Sequence, residues 1–219
     1  TTDLPVSNWI SSQVKQSFLS NINVNVIRNG IDITLFKYRK SLLRENLNLV
    51  GIKIILGVAY IWDERKGLQD FINLSKIIDR NYKILLIGLT DQQIKHLPEN
   101  IIGLHKVKDQ ELLAEYYSMA DVFVNPTKDE ALGLTNIEAL ACGTPVVTYN
   151  SGGAVESIFE NIGFIIEKNN INSLKEKIEV LTKKSKEYYI KETREKAEFY
   201  FDKEKQFKKY IDLYKRAIL

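Results

Sequence analysis

The sequence predicts an α/β fold in which a parallel sheet is covered by helices on both faces. Apolar runs of strand length, such as residues 53–58 and 82–87, alternate with segments whose apolar residues recur at helical spacing. The links between these segments are short, and strands that alternate with helices over short links build parallel sheets. With 219 residues, the chain has the size of one large domain with appendages.

The individual elements follow in order along the chain. Strands are expected at residues 53–58, 82–87, 121–125, 145–149 and 163–166. Helices are expected at residues 67–78, 91–97, 111–119, 134–141 and from about 171 to 219, the last with breaks near Lys184 and Asp202. Asp109 precedes the third helix as an N-cap residue. Gly143 and Pro145 stop the fourth, because a left-handed residue followed by proline ends a helix.

The composition excludes several classes of protein and site. Apolar residues make up 44% and charged residues 27%, which is typical of globular domains. A single cysteine forms no intrachain disulfide and no Cys–Cys zinc site. No apolar run reaches the roughly 20 residues of a membrane-spanning helix, and a net charge of +3 is too small to indicate nucleic acid. His96 and His105 lack the spacing of metal ligands and no Asp-x-Asp pattern occurs, so no metal is expected.

Positive charge is concentrated near the carboxyl end. Residues 168–219 contain 15 Lys and Arg against 9 Asp and Glu, interleaved with aromatic residues. One interpretation is a pair of solvated helix faces with Glu and Lys three or four residues apart. The other is a peripheral contact with an anionic membrane through Lys, Phe and Tyr.

The segment between Asn125 and Glu138 holds the densest chemistry. A strand ends at Asn125, a polar loop follows, and Gly133 lies where the next helix begins. Free backbone N–H groups and the helix dipole make such a turn an anion site. Glu130 and Glu138 flank the turn, which suits a phosphate with hydroxyls on both sides, as in a nucleotide sugar. The alternative is that both are ordinary surface carboxylates.

These residues resemble the Glu-x7-Glu motif of retaining glycosyltransferases of family 4, which have the GT-B fold. The likeness continues through Glu138-Ala139-Leu140-Ala141-Cys142-Gly143-Thr144-Pro145 and includes residues 120–127, 152–156, Arg65-Lys66-Gly67-Leu68 and Asn29-Gly30-Ile31-Asp32. The resemblance implies a Rossmann-like, nucleotide-sugar-binding domain, the C-terminal half of a GT-B fold. It divides the chain into the end of an N-terminal domain with linker (1–36), the Rossmann-like domain (37–185) and C-terminal helices (186–219).

The resemblance also implies a role for each matching residue. Glu130 would contact the donor hexose as the catalytic carboxylate, and Lys66 would neutralise the diphosphate leaving group. Glu138 would bind the ribose hydroxyls, and Val107 would lie beside the nucleobase. The backbone N–H groups of Leu132, Gly133, Leu134 and Thr135 would hold phosphate or sugar. An Arg usual in the family is replaced by Ile61, so Arg65 either takes its role or faces solvent.

The function implied is transfer of a hexosyl group from a nucleotide sugar to an acceptor hydroxyl with retention, without a cofactor or metal. Surface-polysaccharide synthesis in the cytoplasm, at the inner face of the membrane, is the expected setting. The partners are the donor and an upstream N-terminal domain, because residues 1–36 read as the tail of a domain. This chain alone is expected to bind donor without transferring sugar. A nucleotide-sugar-binding module and a GT-B epimerase are the alternatives.

Overall fold

The computed structural model describes residues 2–218. The strands are β1 (Thr2–Asp3), β2 (Asn23–Val24), β3 (Lys53–Val58), β4 (Tyr82–Ile87), β5 (Ile101–Leu104), β6 (Val122–Asn125), β7 (Val146–Tyr149) and β8 (Gly163–Ile166). The helices are α1 (Asn8–Lys15), α2 (Leu43–Asn46), α3 (Leu68–Ser75), α4 (Asp91–Lys95), α5 (Gln110–Met119), α6 (Leu134–Ala141), α7 (Ile171–Leu181), α8 (Lys186–Phe201) and α9 (Lys203–Ile218). Two 3-10 helices lie at Glu64–Lys66 and Gly152–Ser157.

Among the described residues, a central sheet of six parallel strands has the order β5-β4-β3-β6-β7-β8. The chain moves outward from β3 to β5, returns to β6, and then moves outward the other way to β8. Because crossovers between parallel strands are right-handed, this reversal places helices on both faces of the sheet. Accordingly, α3 packs with α7, and α6 packs with α8. The predicted fold class is confirmed.

The reversal also fixes where a ligand can bind. Strands β3 and β6 are neighbours, paired from Ile55 with Val122 to Leu56 with Phe123. The loops that follow these two strands leave in opposite directions and open a crevice at the carboxyl edge of the sheet. In open parallel sheets, ligands bind in this crevice.

The core consists of the strands' aliphatic side chains and of aromatic residues from the helices. The apolar side chains of β3 and β4 are almost fully buried, as their uninterrupted apolar sequences require. Asp121 joins β3 to the start of β6, because its carboxylate accepts from the backbone N–H of Ile54 (2.6 Å) and from Arg44 (2.8 Å). The two strands that border the crevice are therefore held in register by a charged group as well as by packing.

Two sets of contacts are among those that attach the N-terminal segment to the sheet domain and to the C-terminal helices. The carboxylate of Glu156 accepts from the backbone N–H of Trp9 (2.9 Å) and from the guanidinium of Arg28 (2.8 Å). Farther along, Ile31 forms a parallel bridge with Asp202, and Asp32 pairs with Lys203 at 2.7 Å. These contacts bring the segment before β3 alongside both the crevice and the start of α9.

Several predicted boundaries need correction. Helix α3 ends at Ser75, three residues before the predicted end, and β5 was not predicted. Helix α3 begins at Leu68, one residue after its predicted start. Lys66 ends a separate 3-10 turn before it, because Gly67 adopts a left-handed φ of 76° between the two. The predicted breaks in the C-terminal helical region are confirmed, since α7, α8 and α9 are separate helices. The final predicted helical residue, Leu219, lies outside the described residues.

No helix within residues 2–218 combines the length and the apolar character needed to cross a membrane.

Candidate functional site

A cleft of about 290 Å³ lies at the crevice between the carboxyl ends of β3 and β6. Its walls come from the ends of both strands, the loop before α6, the first turn of α6 and the N-terminal segment. The lining residues include Val6, Asn29, Val58, Tyr60, Trp62, Lys66, Asn125, Glu130, Leu132, Gly133, Leu134 and Thr135. Six of the residues predicted from the sequence therefore lie on one cleft.

The floor of the cleft is the beginning of α6. Gly133 has φ of 81° and ψ of 63°, a left-handed conformation that other residues adopt only with strain. No side chain caps this helix. The first N–H groups of an α-helix lack partners inside it, and together with the helix dipole they favour an anion. The cleft therefore presents an anion site made of peptide groups.

Asn136 holds the start of α6 in place from beneath. This buried amide accepts from Asn125 at 2.9 Å and donates to Ser157 at 3.0 Å. Asn125 is the last residue of β6 and Ser157 belongs to the second 3-10 helix. Asn136 was not among the residues predicted for the site. Its only sequence signal is that it is the one polar residue on the buried face of α6.

The charged group at the cleft is an ion pair. The ammonium of Lys66 lies 2.7 Å from Oε2 of Glu130, and the two side chains are 32% and 19% exposed. Lys66 comes from the turn after β3, and Glu130 comes from the loop after β6. The two residues predicted to be catalytic thus meet across the crevice from elements 64 positions apart in sequence.

The loop that carries Glu130 is supported from below by the glycines after β7. The N–H of Gly153 donates to the carbonyl of Glu130 at 2.7 Å. A Cβ atom at Gly153 would collide with the carbonyl of Ala131, so the close approach requires glycine. The Gly-Gly pair singled out in the sequence therefore fixes the backbone of this loop.

Arg65 lies apart from the cleft. Its guanidinium is 71% exposed and pairs with Asp63 at 2.9 Å, and it does not line the cleft. Asp63 also caps the 3-10 turn by accepting from the backbone N–H of Lys66. In this structure Arg65 therefore faces solvent, which is the second of its two predicted arrangements. Consecutive residues of a tight turn point in different directions, so Arg65 does not follow Lys66 into the cleft.

A second, narrower slot of about 230 Å³ adjoins the cleft and shares Val58, Ala59, Tyr60 and Thr135 with it. Its other lining residues are Ile87, Gly88, Lys106, Val107, Leu113 and Glu138. The ammonium of Lys106 lies 3.6 Å from the ring centre of Tyr60, which forms a polar lip over an apolar floor. The predicted residues Val107 and Glu138 meet in this slot, next to the start of α6.

Glu138 is largely shielded from solvent, and burial raises its pKa to about 7. The hydroxyl of Tyr117 donates to its Oε2 at 2.8 Å and opposes that rise by stabilising the charged form. Glu138 is thus an acidic group that changes charge near neutral pH. Tyr117 was not among the residues predicted for the site.

No group of three His, Cys, Asp or Glu side chains within the described part of the chain could hold a metal ion. Lys66 and the start of α6 are the positive groups that the cleft offers to an anion. Cys142, the one cysteine, is buried, and burial raises the pKa of its thiol to about 12. A thiol that stays protonated is a poor nucleophile, which agrees with a packing role.

Residues 40–198 match the family described as "Glycosyl transferases group 1". The chain belongs to this family.

Curated relatives of this family include the "Capsular polysaccharide biosynthesis glycosyltransferase CapM" of Staphylococcus aureus. It is 30% identical over 70% of this chain and 43% of its own length. The "O-antigen biosynthesis glycosyltransferase WclY" of Escherichia coli is 28% identical over 61% of this chain and 39% of its own length. The chain spans about half the length or less of such relatives.

Solved structures of GT-B glycosyltransferases share the fold. Sucrose-phosphate synthase from Thermosynechococcus elongatus aligns over 99% of this chain and 58% of its own, with a TM-score of 0.85 at 24% identity. HepE from Anabaena, solved with UDP and glucose, aligns over 97% of this chain and 62% of its own, with a TM-score of 0.81 at 20% identity. The C-terminal domain of the Francisella tularensis glycosyl transferase LpcC aligns over 79% of this chain and 99% of its own, with a TM-score of 0.65 at 20% identity.

Proposed function

We propose that this chain binds a nucleoside diphosphate sugar across the cleft and the slot, and that it supplies the donor half of a retaining glycosyl transfer. The observation that carries the proposal is the uncapped start of α6, flanked by Lys66 on one side and by the slot with Glu138 on the other. A diphosphate at the helix start would place one sugar on each side of it. HepE, a neighbour in fold, is described with UDP and glucose bound.

In this arrangement each residue acts on a different part of the donor. The peptide N–H groups of residues 132–135 and the ammonium of Lys66 bind the diphosphate. Its negative charge grows as the glycosidic bond breaks, so these groups stabilise the leaving group in the transition state. Glu130 contacts the hexose, Glu138 accepts from the ribose hydroxyls, and the base lies over Val107 in the slot.

The transfer itself needs no covalent contribution from the protein. The bond between the anomeric carbon and the diphosphate oxygen breaks, and the acceptor oxygen forms its bond on the same face of the sugar. The acceptor proton passes to the departing phosphate oxygen, which leaves nucleoside diphosphate. Lys66 and the helix start replace a divalent ion as the positive partner of the diphosphate, so we expect binding without added metal.

The acceptor side requires partners beyond these residues. Val6 and Asn29 are the lining residues that the N-terminal segment contributes to the cleft. An N-terminal domain upstream of them would complete the acceptor site. Helix α9 carries the exposed side chains Phe207, Ile211 and Tyr214 with Lys208 and Lys215 beside them, a pattern suited to an anionic membrane surface. We further propose that the protein acts in surface-polysaccharide assembly at the cytoplasmic face of the membrane. The names of CapM and WclY, which refer to capsular polysaccharide and O-antigen biosynthesis, support the polysaccharide part of this proposal.

A saturation-transfer NMR screen with UDP-, GDP- and ADP-hexoses, in buffer containing EDTA, tests the proposal. We expect transfer to the base, ribose and hexose protons of at least one donor. Lys66→Met should weaken that binding at least about tenfold, since a charged hydrogen bond contributes about 1.5–3 kcal/mol. Lys76→Met is the matched control, because Lys76 is exposed and outside the cleft. Absence of transfer to every donor, or binding that appears only with metal, would contradict this function.

A further inference from the structure

Tyr117 is a buried hydroxyl whose one side-chain partner is a residue of the slot. Its side chain is fully buried on α5, and its ring packs edge-on against Phe36 and Phe123, with centroids 6.2 and 5.4 Å away. The hydroxyl reaches Oε2 of Glu138 at 2.8 Å. A buried phenol hydroxyl usually finds such a partner, because leaving it unpaired is costly.

The backbone of Tyr117 is held equally firmly. Its carbonyl accepts from the hydroxyl of Thr144 at 2.6 Å and from the ammonium of Lys186 at 3.1 Å. Lys186 lies at the start of α8 and also donates to the carbonyl of Ala120 at 2.8 Å. Three elements, α5, α6 and α8, therefore meet around this residue, and the position of its hydroxyl is set by the core.

Glu138 has few other charged neighbours. On its own helix, Cys142 lies one turn away and carries a protonated thiol, since burial raises the pKa of that group to about 12. From the loop before α5, Lys106 lines the same slot with its ammonium over the ring of Tyr60. From α8, the positive charges of Lys186 and Arg194 influence the Cys142 thiol, whose pKa they lower. Tyr117 is thus the group that contacts the Glu138 carboxylate directly.

We infer that Tyr117 is a positioning residue that keeps Glu138 in its carboxylate form with Oε2 occupied, so that Oε1 accepts from the nucleotide ribose and nucleotide affinity depends on pH. This inference rests on the proposed function, because it takes Glu138 as the ribose contact. A carboxylate accepts hydrogen bonds at both oxygens, whereas a protonated carboxyl gives up part of that capacity. The hydroxyl of Tyr117 therefore favours the state that the ribose needs.

The direction of the effect follows from the two forms. Burial raises the pKa of Glu138 to about 7. Without the hydrogen bond from Tyr117, which stabilises the carboxylate, this pKa would be higher still. Affinity for nucleotide should therefore rise as pH increases through about 7. Without the hydroxyl, the same rise should occur at higher pH.

The test compares Tyr117→Phe with wild type by isothermal titration calorimetry at pH 6, 7, 8 and 9, using UDP, GDP and ADP as probes. If the midpoint moves up by about one pH unit, the variant binds about fivefold more weakly at pH 7 and within about twofold of wild type at pH 9. Tyr116→Phe is the matched control, since Tyr116 is the buried neighbour on α5 and does not contact Glu138. Glu138→Gln should bind weakly with no dependence on pH in this range.

A second measurement uses the wild-type protein and does not depend on whether Tyr117→Phe folds. The side-chain carboxyl carbon of Glu138, assigned in wild type with Glu138→Gln, should titrate in the NMR spectrum near pH 7. Titration near the ordinary glutamate value would overturn the inference, as would an equal loss of affinity at every pH in Tyr117→Phe. If wild type bound none of the three nucleotides at any pH, the proposed function would fail and this inference with it. Binding with an unshifted midpoint would remove the inference alone.

Discussion

Replacing Glu130 of the cleft or Glu138 of the slot by glutamine should change the affinity for nucleotide in opposite directions. In Glu130→Gln, the ion pair with Lys66 at 2.7 Å is lost. Because both side chains are partly exposed, that pair contributes about 0.2–1 kcal/mol. The ammonium of Lys66 would then be free to bind the diphosphate. In addition, the negative charge of Glu130, which would repel the phosphates, would be absent. We expect Glu130→Gln to bind free nucleoside diphosphate about two- to fivefold more tightly than wild type.

Glu138→Gln should lose affinity instead, because a charged acceptor for the ribose hydroxyls becomes neutral. Hydrogen bonds to charged groups contribute about 1.5–3 kcal/mol, so a loss of about tenfold or more is expected. The assay is calorimetric titration with UDP, GDP and ADP at pH 8, where wild-type Glu138 is mostly ionised. The exposed Glu160→Gln is the control.

Donor binding completes the comparison. Glu130→Gln should reduce the preference for nucleotide sugar over nucleotide, because Glu130 is the residue that we propose contacts the hexose. Equal losses of free nucleotide affinity in the two amide variants would refute the assignment of the carboxylates to opposite ends of the donor.

Three further variants probe the frame around the site. Tyr149→Phe removes the donor that lies 2.9 Å from buried Asp70 and should lower the free energy of unfolding by about 1–3 kcal/mol in urea titrations, whereas exposed Tyr188→Phe should not. Burial lowers the pKa of Lys186 to about 7, so this side chain holds fewer protons in the folded protein than in the unfolded chain above about pH 7. Its contribution should make stability rise with pH from about 7 to about 9, below the range where the buried Cys142 thiol has the opposite effect, and Lys186→Met should lose that rise in thermal unfolding at several pH values. Gly133→Val should strain the left-handed turn and abolish calorimetric nucleotide binding, while circular dichroism shows the sheet intact.

Local sequence patterns predicted the elements whose ends carry strong signals. Helix α6 and strand β8 occupy the predicted residues, because glycine and proline bound the first and an uninterrupted apolar run marks the second. Strand β5 was not predicted, because it has only four residues and one of them is Gly103. It also forms the edge of the sheet, where few contacts constrain the sequence. The two-residue strands β1 and β2 are too short for any alternation to appear.

The sequence could place the predicted site residues near one another because they lie on loops, or on the first two turns of the helix that follows such a loop, at one edge of the sheet. Parallel topology gathers such loops without any knowledge of side-chain contacts. The pairing of Lys66 with Glu130 and the support of Glu138 by Tyr117 depend on side-chain directions across 64 and 21 positions of sequence. No local periodicity contains that information. The turn that separates Lys66 from α3 depends on the backbone torsion of Gly67, which spacing alone does not fix.

The anion site at the start of α6 is made of peptide groups and of one glycine torsion, with no capping side chain. Peptide N–H groups are the same whatever side chain they carry, so natural variation at Leu134 and Thr135 can leave the site's charge and geometry untouched. Such a site is reflected only weakly in the identity of its residues and strongly in the geometry of its backbone. Distant copies of it should be easier to detect by superposing backbones than by aligning sequences, and substitutions in the neighbouring slot should leave the proposed phosphate site unchanged.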